Sequence, residues 1–192
     1  MKGTKIGLLL TLVLGLCWPG TAQNKLRFIY QDTNLPLEER VDWLVSEMTL
    51  EEKIDQMVYT APAIERLGIP SLRMTDGPTG VRSIKGVPAT VFPVGAAIAA
   101  TCNPDTARDV AAAIAREARA LGDHVVLAPT INMMRIPTWG RNFETYSEDP
   151  FLAGVLGVAF VNGLQGEGIG ASLKHYAANN QEYQRFSISA EL

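Results

Sequence analysis

The sequence predicts an α/β fold, and three observations carry that prediction. Short apolar stretches alternate with helices of clear 3.6-residue periodicity. The helices begin and end on recognisable capping residues. Charged and amide side chains collect just after the strand-like stretches, where α/β sheets place their ligands. Strands alternating with helices argue for a parallel sheet, closed as a barrel or open and doubly wound.

The elements follow in order. Leu37 to Met48 reads as a helix, with Val41, Leu44, Val45 and Met48 at helical spacing and Pro36 near its start. Thr49-Leu-Glu-Glu52 has the form of a capping box, so a second helix should run from there to about Tyr59. Ile69 to Thr75 is a short, partly apolar strand ending in the turn signal Asp76-Gly-Pro78. Val91 to Ala100 is a second apolar stretch and reads as the second strand. Asn103-Pro104-Asp105 opens a helix with a capping amide, a first-position proline and an acid in the first turn. Val110, Ile114, Ala118 and Leu121 line one face of it, and Gly122 ends it. Val125 to Ala128 is a buried strand. Asp149-Pro150 caps a further helix through Phe160 and Leu164, closed by Gly166 and Gly168, and Gly170 to Lys174 is the last strand.

Composition sets the class. Of 192 residues 47% are hydrophobic and 19% charged, enough to bury a sizeable core. Lys2 and Lys5 precede an apolar run from Ile6 to Trp18, followed by Pro-Gly-Thr-Ala. That run is shorter than the ~20 residues of a membrane span, and its flanks are those of a secretory signal peptide, expected over residues 1–22. Residues 23–35 read as an extended arm and 36–192 as one incomplete domain. Secreted or periplasmic location follows, with no membrane attachment after cleavage. A lipoprotein anchored through Cys17 ranks second, because Leu16 before it is large for such a site. The mature chain then has 15 basic and 20 acidic residues, which gives no basic patch for nucleic acid. Cys102 would be its only cysteine, so no internal disulfide can form. No His/Cys cluster suggests a metal, and no cofactor is expected.

Three longer motifs stand in the strand-end loops: Thr75-Asp-Gly-Pro-Thr-Gly-Val-Arg82, Gly140-Arg-Asn-Phe-Glu-Thr-Tyr-Ser-Glu-Asp-Pro150 and Lys174-His-Tyr-Ala-Ala-Asn-Asn-Gln-Glu182. In sequence and order they resemble glycoside hydrolase family 3, and Arg66-Leu-Gly-Ile-Pro70 and Phe92-Pro93 fit as well. The resemblance covers about residues 36–186 and implies the N-terminal part of a (β/α)8 TIM-like barrel. It implies that Asp76, Arg82, Arg141, Lys174 and His175 bind the non-reducing sugar at subsite −1, with Glu144 behind them holding Arg141 or Lys174. Each residue also has a plainer reading: Asp76 as a turn residue, Arg141 and Glu144 as a structural ion pair, Lys174 as a solvated cap, His175 as a core histidine. Their occurrence together in the family's order favours the sugar site.

Retaining glycosidases need two carboxyl groups, a nucleophile and an acid/base. The family's nucleophile lies in a Ser-Asp-Trp-like motif, which does not occur here, and its acid/base comes from a second domain. Both are expected beyond residue 192, so no catalytic residue is assigned and residues 1–192 alone are expected to be inactive. Asp-Gly-Pro with Gly-Val-Arg82 resembles the β-glucosidase members, and Lys-His-Tyr-Ala-Ala departs from the N-acetylglucosaminidase pattern. The expected parent is a retaining exo-acting β-glucosidase taking a small β-linked oligosaccharide or aryl glycoside. A β-xylosidase, or a non-catalytic sugar-binding module, is the alternative.

Overall fold

The computed structural model describes residues 27–82 and 86–189. The expected signal peptide, including Cys17, and the start of the arm lie outside the described residues. The chain divides into two compact units, Met1–Glu47 and Met48–Leu192.

In the smaller unit a 3-10 turn, Ile29–Gln31, precedes helix α1, Leu37–Glu47. Arg40 Nε donates to the Tyr30 carbonyl at 2.7 Å. Phe28, Tyr30 and Trp43 gather with ring centroids 5.8–6.2 Å apart, the spacing of favourable aromatic pairs.

In the larger unit helix α2 covers Leu50–Asp55 and opens on the expected capping box. Thr49 Oγ1 accepts from the Glu52 amide at 3.2 Å, and the Glu52 carboxylate accepts from the Thr49 amide at 2.9 Å. The helix stops short of Tyr59, because Thr60–Ala61 leaves it to form a short strand, β1. Strand β2 is Leu72–Asp76, β3 is Val125–Leu127 and β4 is Gly170–Ala171. The sheet order is β1-β2-β3-β4. β1 pairs antiparallel with β2, Thr60 opposite Arg73. β2, β3 and β4 are parallel, with Thr75 opposite Val126 and Val126 opposite Ala171.

The second apolar stretch is not a strand. Its latter half is helix α3, Gly95–Ala99, and residues 87–94 belong to no helix or strand. The reason is composition: Gly-Ala-Ala-Ile-Ala holds three alanines, the best helix formers, and only one β-branched residue. Burial of Ile98 and Ala99 then makes it a core helix.

Two long helices form the crossovers. α4, Pro104–Ala120, links β2 to β3 and α5, Pro150–Gly166, links β3 to β4. Both start as expected. The Asn103 side chain accepts from the Asp105 amide at 2.9 Å; Asp149 accepts from Phe151 and Leu152 at 3.0 and 3.2 Å. Gly122 and Gly168 follow the helix ends with φ of 78° and 79°, where a side chain would be strained. α4 turns Ala107, Ala111, Ala115 and Ala118 inward, all fully buried. Against that small-residue face α5 brings Leu156, Phe160 and Leu164, which with Ile98, Ile114 and Val126 make the centre of the core. α5 is apolar on its outer side too, where Phe151 and Val158 stay 78% and 62% exposed. No described helix is long and apolar enough to cross a membrane.

Candidate active site

The site lies where the parallel strands end. Asp76 is the last residue of β2, and the chain turns sharply behind it. The Arg82 amide returns to donate to the Asp76 carbonyl at 2.9 Å, and Thr75 Oγ1 donates to the Arg82 carbonyl at 3.3 Å. Gly80 allows the turn: its φ is 123°, and a Cβ there would sit 2.2 Å from the Thr90 carbonyl oxygen.

β3 and β4 run on past their regular ends as neighbours. The Ile131 amide donates to the Lys174 carbonyl at 2.9 Å and the Lys174 amide to the Pro129 carbonyl at 3.1 Å. This seats Lys174 and His175 beside Thr130 and Asn132. Lys174 Nζ reaches across to Asp76 Oδ1 at 2.5 Å, tying the first parallel strand to the third. The Lys174 side chain is 15% exposed while Asp76 keeps 43%, so Asp76 still offers lone pairs outward.

Arg141 forms the second focus. Its Nε donates to Glu144 Oε1, its Nη2 lies 3.0 Å from His175 Nε2, and its Nη1 is 3.6 Å from Glu182 Oε1. Glu144 is only 7% exposed, and its other oxygen accepts from Thr130 Oγ1 at 3.4 Å. A buried carboxylate is tolerable only when paired and hydrogen-bonded, and both conditions hold here. Helix α3 holds this turn in place, since a Cβ on Gly95 would fall 2.5 Å from the Glu144 carbonyl oxygen.

Five of the six residues expected at the site from sequence therefore converge. Asp76 pairs with Lys174, and Glu144 holds Arg141 against His175. Of the two partners expected for Glu144, the structure selects Arg141. Arg82 shares a hollow of about 450 Å³ with Asp76, Arg141 and Glu144, but its exposed side chain makes no ion pair among the described residues. Lys174 and His175 line a wider hollow of about 800 Å³ with Asn132, Arg135 and Tyr176. The Lys174–Asp76 and Arg141–His175 contacts link residues of the two hollows. The narrower hollow carries the larger number of charged groups.

The sequence assigns no role to two further participants. Glu182 ends the third motif, and its Oε2 also accepts from Arg185 at 2.9 Å. Burial pushes its carboxyl upward, but the bond from Arg185 and the Arg141 charge outweigh this and hold it below the usual carboxylate range. Asn132 reads from sequence as an informative amide just after the third strand, but its partner, His175, is 43 residues away. Among the described residues no group of three His, Cys, Asp or Glu side chains could hold a metal ion.

His175 is held below its ordinary value by burial first, then by the Arg141 and Lys174 cations, against a smaller opposing pull from Glu144 and Glu182. The unfolded chain therefore binds this proton at a higher pH than the folded one. The stabilising contribution is complete above the unfolded value of about 6.5 and is lost as pH falls below it. Thermal unfolding between pH 7.5 and 5 should show a fall in Tm that is smaller in His175→Gln. Equal pH slopes in the two proteins would refute the assignment.

Comparison with known proteins identifies the family. Residues 43–183 match the model of the glycosyl hydrolase family 3 N terminal domain. A β-glucosidase of Rhizobium radiobacter is 40% identical over 160 residues, covering 79% of this chain and 20% of that protein. The crystal structure of DesR, a β-glucosidase from Streptomyces venezuelae in complex with D-glucose, superposes with a TM-score of 0.71 at 42% identity, over 76% of this chain and 20% of that one. The family 3 exo-β-xylosidase XlnD, in complex with a xylobiose aziridine probe, gives 0.69 at 30% identity, over 79% and 22%. The chain belongs to glycoside hydrolase family 3 and carries its N-terminal, TIM-barrel-like α/β domain in part. It spans about a fifth of the length of the relatives it matches.

Proposed function

We propose that these residues form the sugar-recognition part of a retaining, exo-acting β-glucosidase. Asp76, Arg82, Arg141, Lys174 and His175 surround the non-reducing sugar at subsite −1, and Glu144 holds Arg141 in place. The observation that carries this reading is the meeting of two ion pairs, Lys174–Asp76 and Arg141–Glu144, on either side of His175. A carboxylate such as Asp76 can accept from two neighbouring hydroxyls, and the cations supply charge-assisted donors. Of five guanidinium N–H groups on Arg141, three face Glu144, His175 and Glu182, which leaves two for a ligand. A site built this way rejects sugars with a missing hydroxyl, because its own buried groups would then lack partners.

We assign neither the nucleophile nor the acid/base to a residue of this chain. Asp76 is committed to Lys174 and to binding, and Glu144 to Arg141, so neither is offered as one of the two carboxyl groups that the retaining mechanism requires. Residues 1–192 alone should release no nitrophenol from nitrophenyl β-glucoside. Export to the periplasm or medium, following removal of residues 1–22, completes the reading.

Glucose binding to the chain tests the site. Asp76→Asn keeps an acceptor for Lys174 but removes the charge that grips the sugar. A charged hydrogen bond is worth ~1.5–3 kcal/mol, so affinity should fall about 10- to 100-fold. Unchanged affinity in this variant would sink the site. The likeness to an exo-β-xylosidase favours a second reading, a β-xylosidase. Tighter binding of xylose than of glucose would select it.

A further inference from the structure

We infer that Asn132 is a positioning residue: it fixes His175 as the Nδ1–H tautomer, so that Nε2 accepts from Arg141 and aims the guanidinium into the site. The inference rests on the sugar-site reading for its purpose, but not for its geometry.

The geometry leaves little freedom. The Asn132 amide is oriented by the backbone of one residue, His175. Its Nδ2 donates to the His175 carbonyl at 3.0 Å, and its Oδ1 accepts from the His175 amide at 2.7 Å. A carbonyl cannot donate and an amide N–H cannot accept, so the side chain cannot be flipped without losing both bonds. Oδ1 then faces His175 Nδ1 at 3.1 Å, and an acceptor there requires the proton on Nδ1. A neutral imidazole with Nδ1–H has a bare Nε2, and the group 3.0 Å from Nε2 is Arg141 Nη2, which can only donate. The other tautomer would set an N–H against a guanidinium and a lone pair against an amide oxygen, failing at both ends. The lowered affinity of His175 for a second proton, caused by burial first and by the facing Arg141 charge next, is in keeping with this.

Asn132 lies two residues beyond Thr130 on the same extension of β3, and Thr130 holds Glu144. One run of backbone thus fixes both supports of Arg141: Glu144 through Thr130 and His175 through Asn132. This is how outer groups orient an imidazole through its far nitrogen in many sites.

The chain supplies its own control, because it has two histidines. His124 Nδ1 accepts from the Arg73 amide at 3.0 Å, which demands the opposite tautomer, Nε2–H. Long-range ¹⁵N–¹H correlation spectra of the uniformly labelled chain at neutral pH read each ring directly. The expected result is one Nδ1–H ring and one Nε2–H ring, assigned by His175→Gln. In Asn132→Ala the His175 ring should move to a mixture or to Nε2–H while His124 stays as it was. Asn132→Asp keeps the acceptor, so Nδ1–H should persist and His175 should hold a second proton to higher pH. Two Nε2–H rings in the wild type would overturn the inference. So would an unaltered His175 in Asn132→Ala or, if the His124 signature shows that variant unfolded, an Nε2–H ring in Asn132→Asp. Glucose affinity of Asn132→Ala should fall about tenfold; unchanged affinity in the folded variant would remove the positioning role. No sugar enters the tautomer measurement, so a chain that binds no glucose tells against the sugar site separately from the tautomer.

Discussion

Glu144→Ala is expected to cost about 3–4 kcal/mol of stability and to abolish glucose binding. The magnitude follows from what the substitution leaves behind. Breaking a buried ion pair on one side costs ~3–5 kcal/mol, because the remaining charge keeps its desolvation penalty without its partner. Glu144 is 7% exposed but Arg141 is 20% exposed, so some water can reach the guanidinium and the lower part of that range applies. The Thr130 hydroxyl loses its acceptor as well. Binding suffers independently of stability: without Glu144 the guanidinium is held only by His175 and the longer contact to Glu182. Glu144→Gln separates the two effects, since an amide of the same shape can accept one bond but carries no charge. It should lose about half as much stability while still binding glucose weakly. Urea unfolding with a parallel glucose titration measures both. If Glu144→Ala matched the wild type in midpoint and in affinity, the turn at residues 141–144 would have no part in the site.

Gly163→Val should be comparably damaging, at the upper end of the ~1–3 kcal/mol typical of overpacking. At Gly163 the backbones of α5 and α4 approach closely. A Cβ there would stand 2.3 Å from the Arg108 carbonyl oxygen and 2.8 Å from Ala111 Cβ. The obstacle is helix backbone, which cannot turn aside as a side-chain tip would. The helices must separate, and the fully buried Phe160 and Leu164 separate with them. Gly154, one turn from the start of the same helix, is the control: nothing lies within 4 Å of a Cβ built on it. Gly154→Ala should therefore stabilise by about 0.5–1 kcal/mol through helix propensity alone. Destabilisation by both substitutions would mean that glycine serves α5 by flexibility and not by close approach.

The helix starts were readable because capping is local chemistry. Thr49 with Glu52, Asn103 with Pro104, and Asp149 with Pro150 each satisfy backbone groups two or three residues away, and all three appear as expected. Strand assignment from short apolar runs failed where length and periodicity are silent. Val91–Ala100 is too short to show a period, so its alanines and its burial decided in favour of helix. The two-residue β1 has no sequence signal of its own and exists because β2 offers it an edge.

At the site the division is sharper. By itself the sequence determined the family, through three ordered motifs, and the chemical character of the pocket, through Asp76, Arg82, Arg141, Lys174, His175 and Glu144. Residue type settles charge and hydrogen-bonding capacity before any folding takes place. Which groups are partners was decided only by the tertiary structure. Lys174 meets Asp76 across 98 residues, His175 meets Arg141 across 34 and Asn132 meets His175 across 43. Those distances are closed by the packing of α4 on α5 and by the parallel pairing of β2, β3 and β4. No local propensity encodes them, because the energy that closes them is the burial of the shared core.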